Sequence, residues 1–189
     1  QNYAYLTDDN ELKIDHKNTL IDKYLVHIRE VRGNLLENLD IQFMRAIEDK
    51  CEECQDHIAK IKRHLRTLPE TAEQHMESME PQKAARYNPF GNIYEIGLVT
   101  GGSGYESAPE VHIEPPRGQY EGVQAKAIAL LDGDKVAKID IIDPGAGYTH
   151  RPSVKVTPPG NGVPALAIAP PPTNSFVATP LNENVVLGD

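Results

Sequence analysis

Ile96-Gly-Leu-Val-Thr-Gly-Gly-Ser-Gly-Tyr-Glu-Ser-Ala-Pro-Glu-Val-His-Ile-Glu-Pro-Pro116 returns forty-three residues later as Ile139-Asp-Ile-Ile-Asp-Pro-Gly-Ala-Gly-Tyr-Thr-His-Arg-Pro-Ser-Val-Lys-Val-Thr-Pro-Pro159. The shared positions are Gly102 and Gly145, Gly104 and Gly147, Tyr105 and Tyr148, Pro109 and Pro152, the alternating pairs Val111, Ile113 and Val154, Val156, and the double prolines. What is copied is backbone geometry and apolar packing, so an internal repeat of this kind marks architecture before chemistry.

Each copy reads as strand, turn, strand. Ile96, Leu98 and Ile139, Ile141 alternate as half-buried strands do. The glycines supply positive φ for a tight turn. The tyrosine packs its ring while its hydroxyl stays available, and Pro109 and Pro152 suit a strand start. A small-residue strand follows, Gly122-Val-Gln-Ala-Lys-Ala-Ile-Ala129 in one copy and Gly162-Val-Pro-Ala-Leu-Ala-Ile-Ala169 in the other, and Asp132-Gly133-Asp134-Lys135 joins the copies with a hairpin signal. Residues 94–169 are therefore expected to form an all-β module of about six short strands. A phosphate-binding reading of Gly101-Gly-Ser-Gly104 fails on context, because such loops open a helix and this one runs into Tyr, Pro and another strand.

Residues 12–68 follow a different period. Met44, Ile47, Cys51, Cys54, Ile58, Ile61, Leu65 and Leu68 alternate by three and four, a heptad seam that makes them the candidate helical interface. Upstream, Ile14, Ile21, Tyr24, Ile28, Val31 and Leu35 keep the rule with a polar Lys17, and Asn38 to Asp40 breaks the register. Two arrangements fit: a helical hairpin turning near residues 38 to 41, with Asp40 as N-cap of the second helix, or one long helix with a stutter. Pro69 after Leu68 marks the helix end. The Lys and Arg residues from Lys60 to Arg66 read as a solvated helix face.

Cys51 and Cys54, with His57 and His64 further along, raise a metal or redox reading. The heptad explains them more cheaply, as small knobs in a seam of a protein kept reduced. No metal and no cofactor are expected. Ser103, Ser107 and His112 lack the elbow or the carboxylate of a triad, so no catalytic residue is assigned and an enzyme is not expected.

A net charge of −9 argues against nucleic-acid and anionic-membrane partners. No apolar run approaches a membrane span, and the first residues lack the pattern of a signal peptide. With 39% apolar residues in 189, there is enough chain for one modest core or two small ones. Residues 69–93 and 170–189 are polar or proline-broken and read as an extended linker and a C-terminal arm held by neighbours. The fold class is thus segregated α+β: an N-terminal helical hairpin or coiled coil, a two-repeat β module and an extended arm.

The strand, Gly-Gly-Ser-Gly-Tyr, Pro, Val-x-Ile and small-residue strand repeat resembles one found in structural proteins of tailed bacteriophages, especially contractile-tailed phages of cyanobacteria and other marine bacteria. Residues 31–49 and 58–69 are similar to a helical module of tail-fibre-assembly and tail-associated proteins, with Arg32, Leu35, Leu36, Asp40, Leu65, Arg66, Leu68 and Pro69 on its pattern. Ile41-Gln-Phe43 stands where that module commonly has a Trp. The resemblance implies a virion structural protein of the tail (baseplate, fibre attachment or neck), assembled in the host cytoplasm with other virion proteins as a homo-oligomer, a trimer being one form. Two rivals are a transient fibre-assembly chaperone and a glycan- or receptor-binding module that uses Tyr105, Tyr120 and Tyr148 as aromatic platforms.

Overall fold

A computed structural model describes residues 9–118 and 121–173, with side chains from residue 18 onward. The architecture is segregated α+β: helices α1 (Asp9–Glu48), α2 (Glu52–Ser78) and α3 (Pro81–Ala84), then strands β1 (Gly97–Thr100), β2 (Glu110–Ile113), β3 (Lys126–Asp132), β4 (Lys135–Asp143), β5 (Val154–Val156) and β6 (Leu166–Ile168). Two compact units divide between Tyr87 and Asn88.

The helical unit is a hairpin of α1 against α2. Ile21, Tyr24, Leu25, Ile28, Leu39 and Ala46 of α1 are buried, as are Ile58, Ile61, Leu65, Leu68, Ala72 and Met76 of α2. The hairpin does not turn near residues 38 to 41. It turns at Lys50, whose φ of 54° places it in the left-handed region. Cys51 N–H donates to the Ala46 carbonyl at 3.0 Å and Lys50 N–H to that of Ile47 at 3.1 Å, the bond pair that closes a helix with a left-handed residue. Glycine usually holds this place, and Lys hides it from a sequence reading. Asn38, which suggested a break, stays helical and donates Nδ2 to the Asn34 carbonyl at 3.0 Å. Asp40 caps nothing; it lies inside α1 and forms an ion pair across the hairpin with Lys62.

Pro69 does not end the second helix, which continues through it to Ser78. A proline inside a helix costs about 3 kcal/mol. The apolar spacing continues past it, through Leu68, Ala72 and Met76, and their burial offsets that cost. The segment expected to be a linker over 69–93 is therefore folded: α2 and α3 occupy much of it, and Tyr87, Asn88, Phe90, Asn92 and Ile93 are buried.

In the β unit the two copies interlock. β2 and β5, the same strand in each copy, pair antiparallel with His112 opposite Lys155. β1 pairs with β6 and β3 with β4, so each copy's first strand takes the other copy's third strand as partner. β2 also pairs with β3, and β5 lies beside β6. β1 lies beside β4, where Val136 N–H donates to the Gly101 carbonyl at 2.9 Å and Ile93 N–H to that of Pro144 at 2.8 Å. One core results, including Ile96, Ile113, Ala129, Val136, Ile139 and Ala167.

The pseudo-symmetry extends beyond the recognisable repeat. Asn92 and Thr173 exchange backbone hydrogen bonds at 2.9 and 3.1 Å, at the place in the second copy's ladder that the Asp132–Lys135 hairpin occupies in the first. Residues 90–93 and 170–173 thus belong to the module, which begins before residue 94 and ends after 169. The expected arm lies outside the described residues from 174 onward.

Candidate assembly interface

The eight predicted seam residues divide into two groups. Ile58, Ile61, Leu65 and Leu68 are buried, on the helix that packs against α1 of the same chain. Met44 and Ile47 precede the turn and stay 58% and 46% exposed; with Ile41 they form an uncovered apolar stripe at the end of α1. Their separation follows from the turn at Lys50, which interrupts what sequence spacing makes continuous.

Cys51 and Cys54 are not seam knobs and are not reduced: they are bonded to each other in a disulfide. Cys51 is the N-cap of α2, its Sγ accepting from Cys54 N–H at 3.3 Å. Among the described residues no three His, Cys, Asp or Glu side chains are grouped to hold a metal ion.

The repeat residues hold the two copies together. Tyr148 Oη accepts from Ala125 N–H at 2.9 Å and donates to the Glu114 carbonyl at 3.0 Å. Tyr105 Oη accepts from Ala165 N–H at 2.8 Å, the equivalent bond in the other direction. Burial raises the Tyr148 phenol above its ordinary range, so it keeps the proton it donates. Neither ring is an open platform, as both tyrosines are buried; Tyr120 lies outside the described residues.

Gly102 and Gly145 lie where each copy's turn crosses the other's small-residue strand, and a Cβ on Gly102 would sit 2.2 Å from the Val163 carbonyl oxygen. Thr100 and Asp143, at matching positions, accept from the N–H of Gly102 and Gly145.

Replacing Tyr148 with Phe should leave Ala125 N–H buried without a partner and cost about 1–3 kcal/mol. Denaturant unfolding of the β unit checks this, and an unchanged midpoint would mean that the hydroxyl is dispensable.

Two clefts follow the same symmetry. One holds Tyr105 and Pro109 beside the Pro158-Pro159 loop, the other Tyr148 and Pro152 beside Pro115. Their charges have diverged: Glu106, Glu110 and Asp134 line the first, whereas Arg117, His150 and Arg151 line the second with Glu114. Hydrogen bonds from Ser153 N–H and Oγ, with the Arg117 charge adding, hold the Glu114 carboxyl below its usual range. Glu114 is thus committed as an anion to Ser153 and Arg117 rather than poised to donate a proton.

Sequence reading missed Asn92. Its Nδ2 donates to the carbonyls of Pro89 at 3.1 Å and Gly145 at 2.6 Å, joining the start of the module to the second turn. The available signal was the turn-forming composition of Asn88-Pro-Phe-Gly-Asn92.

The fold therefore defines a two-unit α+β chain whose repeated residues are structural. Compared with known proteins, it matches no family model, no curated protein and no solved structure.

Proposed function

We propose that this chain is a structural, non-enzymatic protein of a tailed-phage virion, an adaptor in the tail at the baseplate, fibre attachment or neck that works with other virion proteins as a homo-oligomer. The observation that carries this reading is the use made of the repeat. Its glycines and tyrosines join one copy to the other through backbone contacts, and neither tyrosine ring is left open for a ligand. This also favours an adaptor over a glycan-binding module. The exposed Ile41, Met44 and Ile47 stripe supplies a surface for helix packing, and several weak contacts made together bind more strongly than each alone.

A mass-spectrometric inventory of purified particles tests the proposal. The protein should be present at a fixed copy number relative to a known tail protein. Its absence from particles, with presence in lysates during assembly, would overturn the adaptor reading in favour of a chaperone.

A further inference from the structure

The two sides of the β unit differ in character. Around the β2–β5 pair the outward residues are polar: Glu110, His112 and Lys155 are exposed. On the other side the β6–β1 pair lies beside the β4–β3 pair, β1 being next to β4 and linked to it by the flanking backbone bonds from Val136 and Ile93. That side carries Val99, Ile128, Leu130, Ile142, Leu166 and Ile168, all between 42% and 63% exposed. Two pairs in the set obey the repeat, Val99 corresponding to Ile142 and Ile128 to Ile168, whereas Leu166 stands at the place of Lys126 and Leu130 at that of Pro170. Both copies have kept large apolar groups where strand alternation alone would favour polar ones.

Charged residues stand among them: Lys126 and Asp132 share the exposed side of β3 with Ile128 and Leu130, and a charged pair lies at the centre of β4. Lys138 and Asp140, two residues apart on β4, form an ion pair of 2.8 Å and lie opposite Leu130 and Ile128 of β3. We infer that this face is a self-association surface, on which two copies of the chain pack face to face about a twofold axis that sets their β4 strands antiparallel. In an isologous contact residue i meets j while j meets i. With the β4 strands antiparallel, each Lys138 faces Asp140 of the second copy, and with them parallel each Lys138 would face Lys138. The apolar residues provide the area removed from water, as in other sheet-on-sheet contacts. The charges fix the orientation. Each member of the pair is already bonded within its own strand, and a second copy in this orientation adds a further opposite charge to both, so the contact leaves no charge unpaired.

The inference rests on the reading of the chain as an assembly protein, and sedimentation equilibrium on the full chain tests it separately. The wild type should show a concentration-dependent monomer–dimer equilibrium below about 100 μM. Asp140→Lys should weaken dimerisation at least about tenfold, and so should Lys138→Asp, by setting like charges opposite one another. Mixing these two variants should restore association as a heterodimer, and the double exchange Lys138→Asp with Asp140→Lys should restore the homodimer. Circular dichroism of each variant, unchanged from wild type, establishes that the fold is kept.

A wild type that stays monomeric over this range would overturn the inference. So would variants whose mixture fails to associate, or dimerisation that survives both charge reversals yet is lost in Met44→Asp, which would place self-association on α1. A protein that dimerises this way but is missing from particles would count against the virion reading while leaving this surface intact.

Discussion

Gly104→Val should leave the β unit unfolded at room temperature. Gly104 has φ of +85°, and a Cβ there would lie 2.0 Å from the Asn161 carbonyl oxygen. A β-branched residue meets two penalties at once: backbone strain of about 1–3 kcal/mol in the left-handed region, and an overlap with main chain that cannot move without shifting the neighbouring turn, costing about as much again. Together these approach the whole stability of a small domain. Gly147, its counterpart, has φ of +83° and would place a Cβ 2.8 Å from the Gly122 Cα, so Gly147→Val should behave alike. Gly133→Ala is the control. It has positive φ, +62°, but nothing within 4 Å of its Cβ position, and should cost only about 1–2 kcal/mol. Far- and near-ultraviolet circular dichroism with denaturant titration separates these cases, and equal, small losses at Gly104 and Gly133 would show that the close approach is not enforced.

Leu65→Asp should unfold the helical hairpin. Leu65 is 0% exposed in the middle of α2. Removing its side chain alone is worth about 2–5 kcal/mol, and an unpaired carboxylate in the same place adds a desolvation penalty of several more. Met44→Asp, at a position 58% exposed, should change stability by no more than about 0.5 kcal/mol. The two residues fall in one sequence seam, yet only one lies in a core. Helicity measured at 222 nm against temperature decides the matter: equal helix content and melting in wild type and Leu65→Asp would mean that the seam packs outside this chain and not within it.

The sequence by itself determined the segregated α+β class, the six strands and the glycines that close the turns of the β repeat. These are local properties. Alternation with period two, glycine before tyrosine and a three-four apolar spacing can each be read within a dozen residues, and duplication doubles the signal. The burial of Ile58, Ile61, Leu65 and Leu68 was legible for the same reason.

Tertiary structure decided the rest. The helix turn sits at Lys50 because Lys can adopt the left-handed conformation when two capping bonds and the buried hairpin outweigh a cost of about 1–2 kcal/mol. No local pattern announces that balance. Pro69 stays helical because side chains far along the chain bury Leu68, Ala72 and Met76 around it, and the disulfide forms because that same turn brings Cys51 and Cys54 to the start of α2. Similarity between the copies could not reveal that each takes its strand partner from the other, since strand pairing over forty residues is set by which arrangement closes a single core. For the same reason Asn92 and Thr173, which share no sequence signature, complete the symmetry only when the chain ends of the module meet.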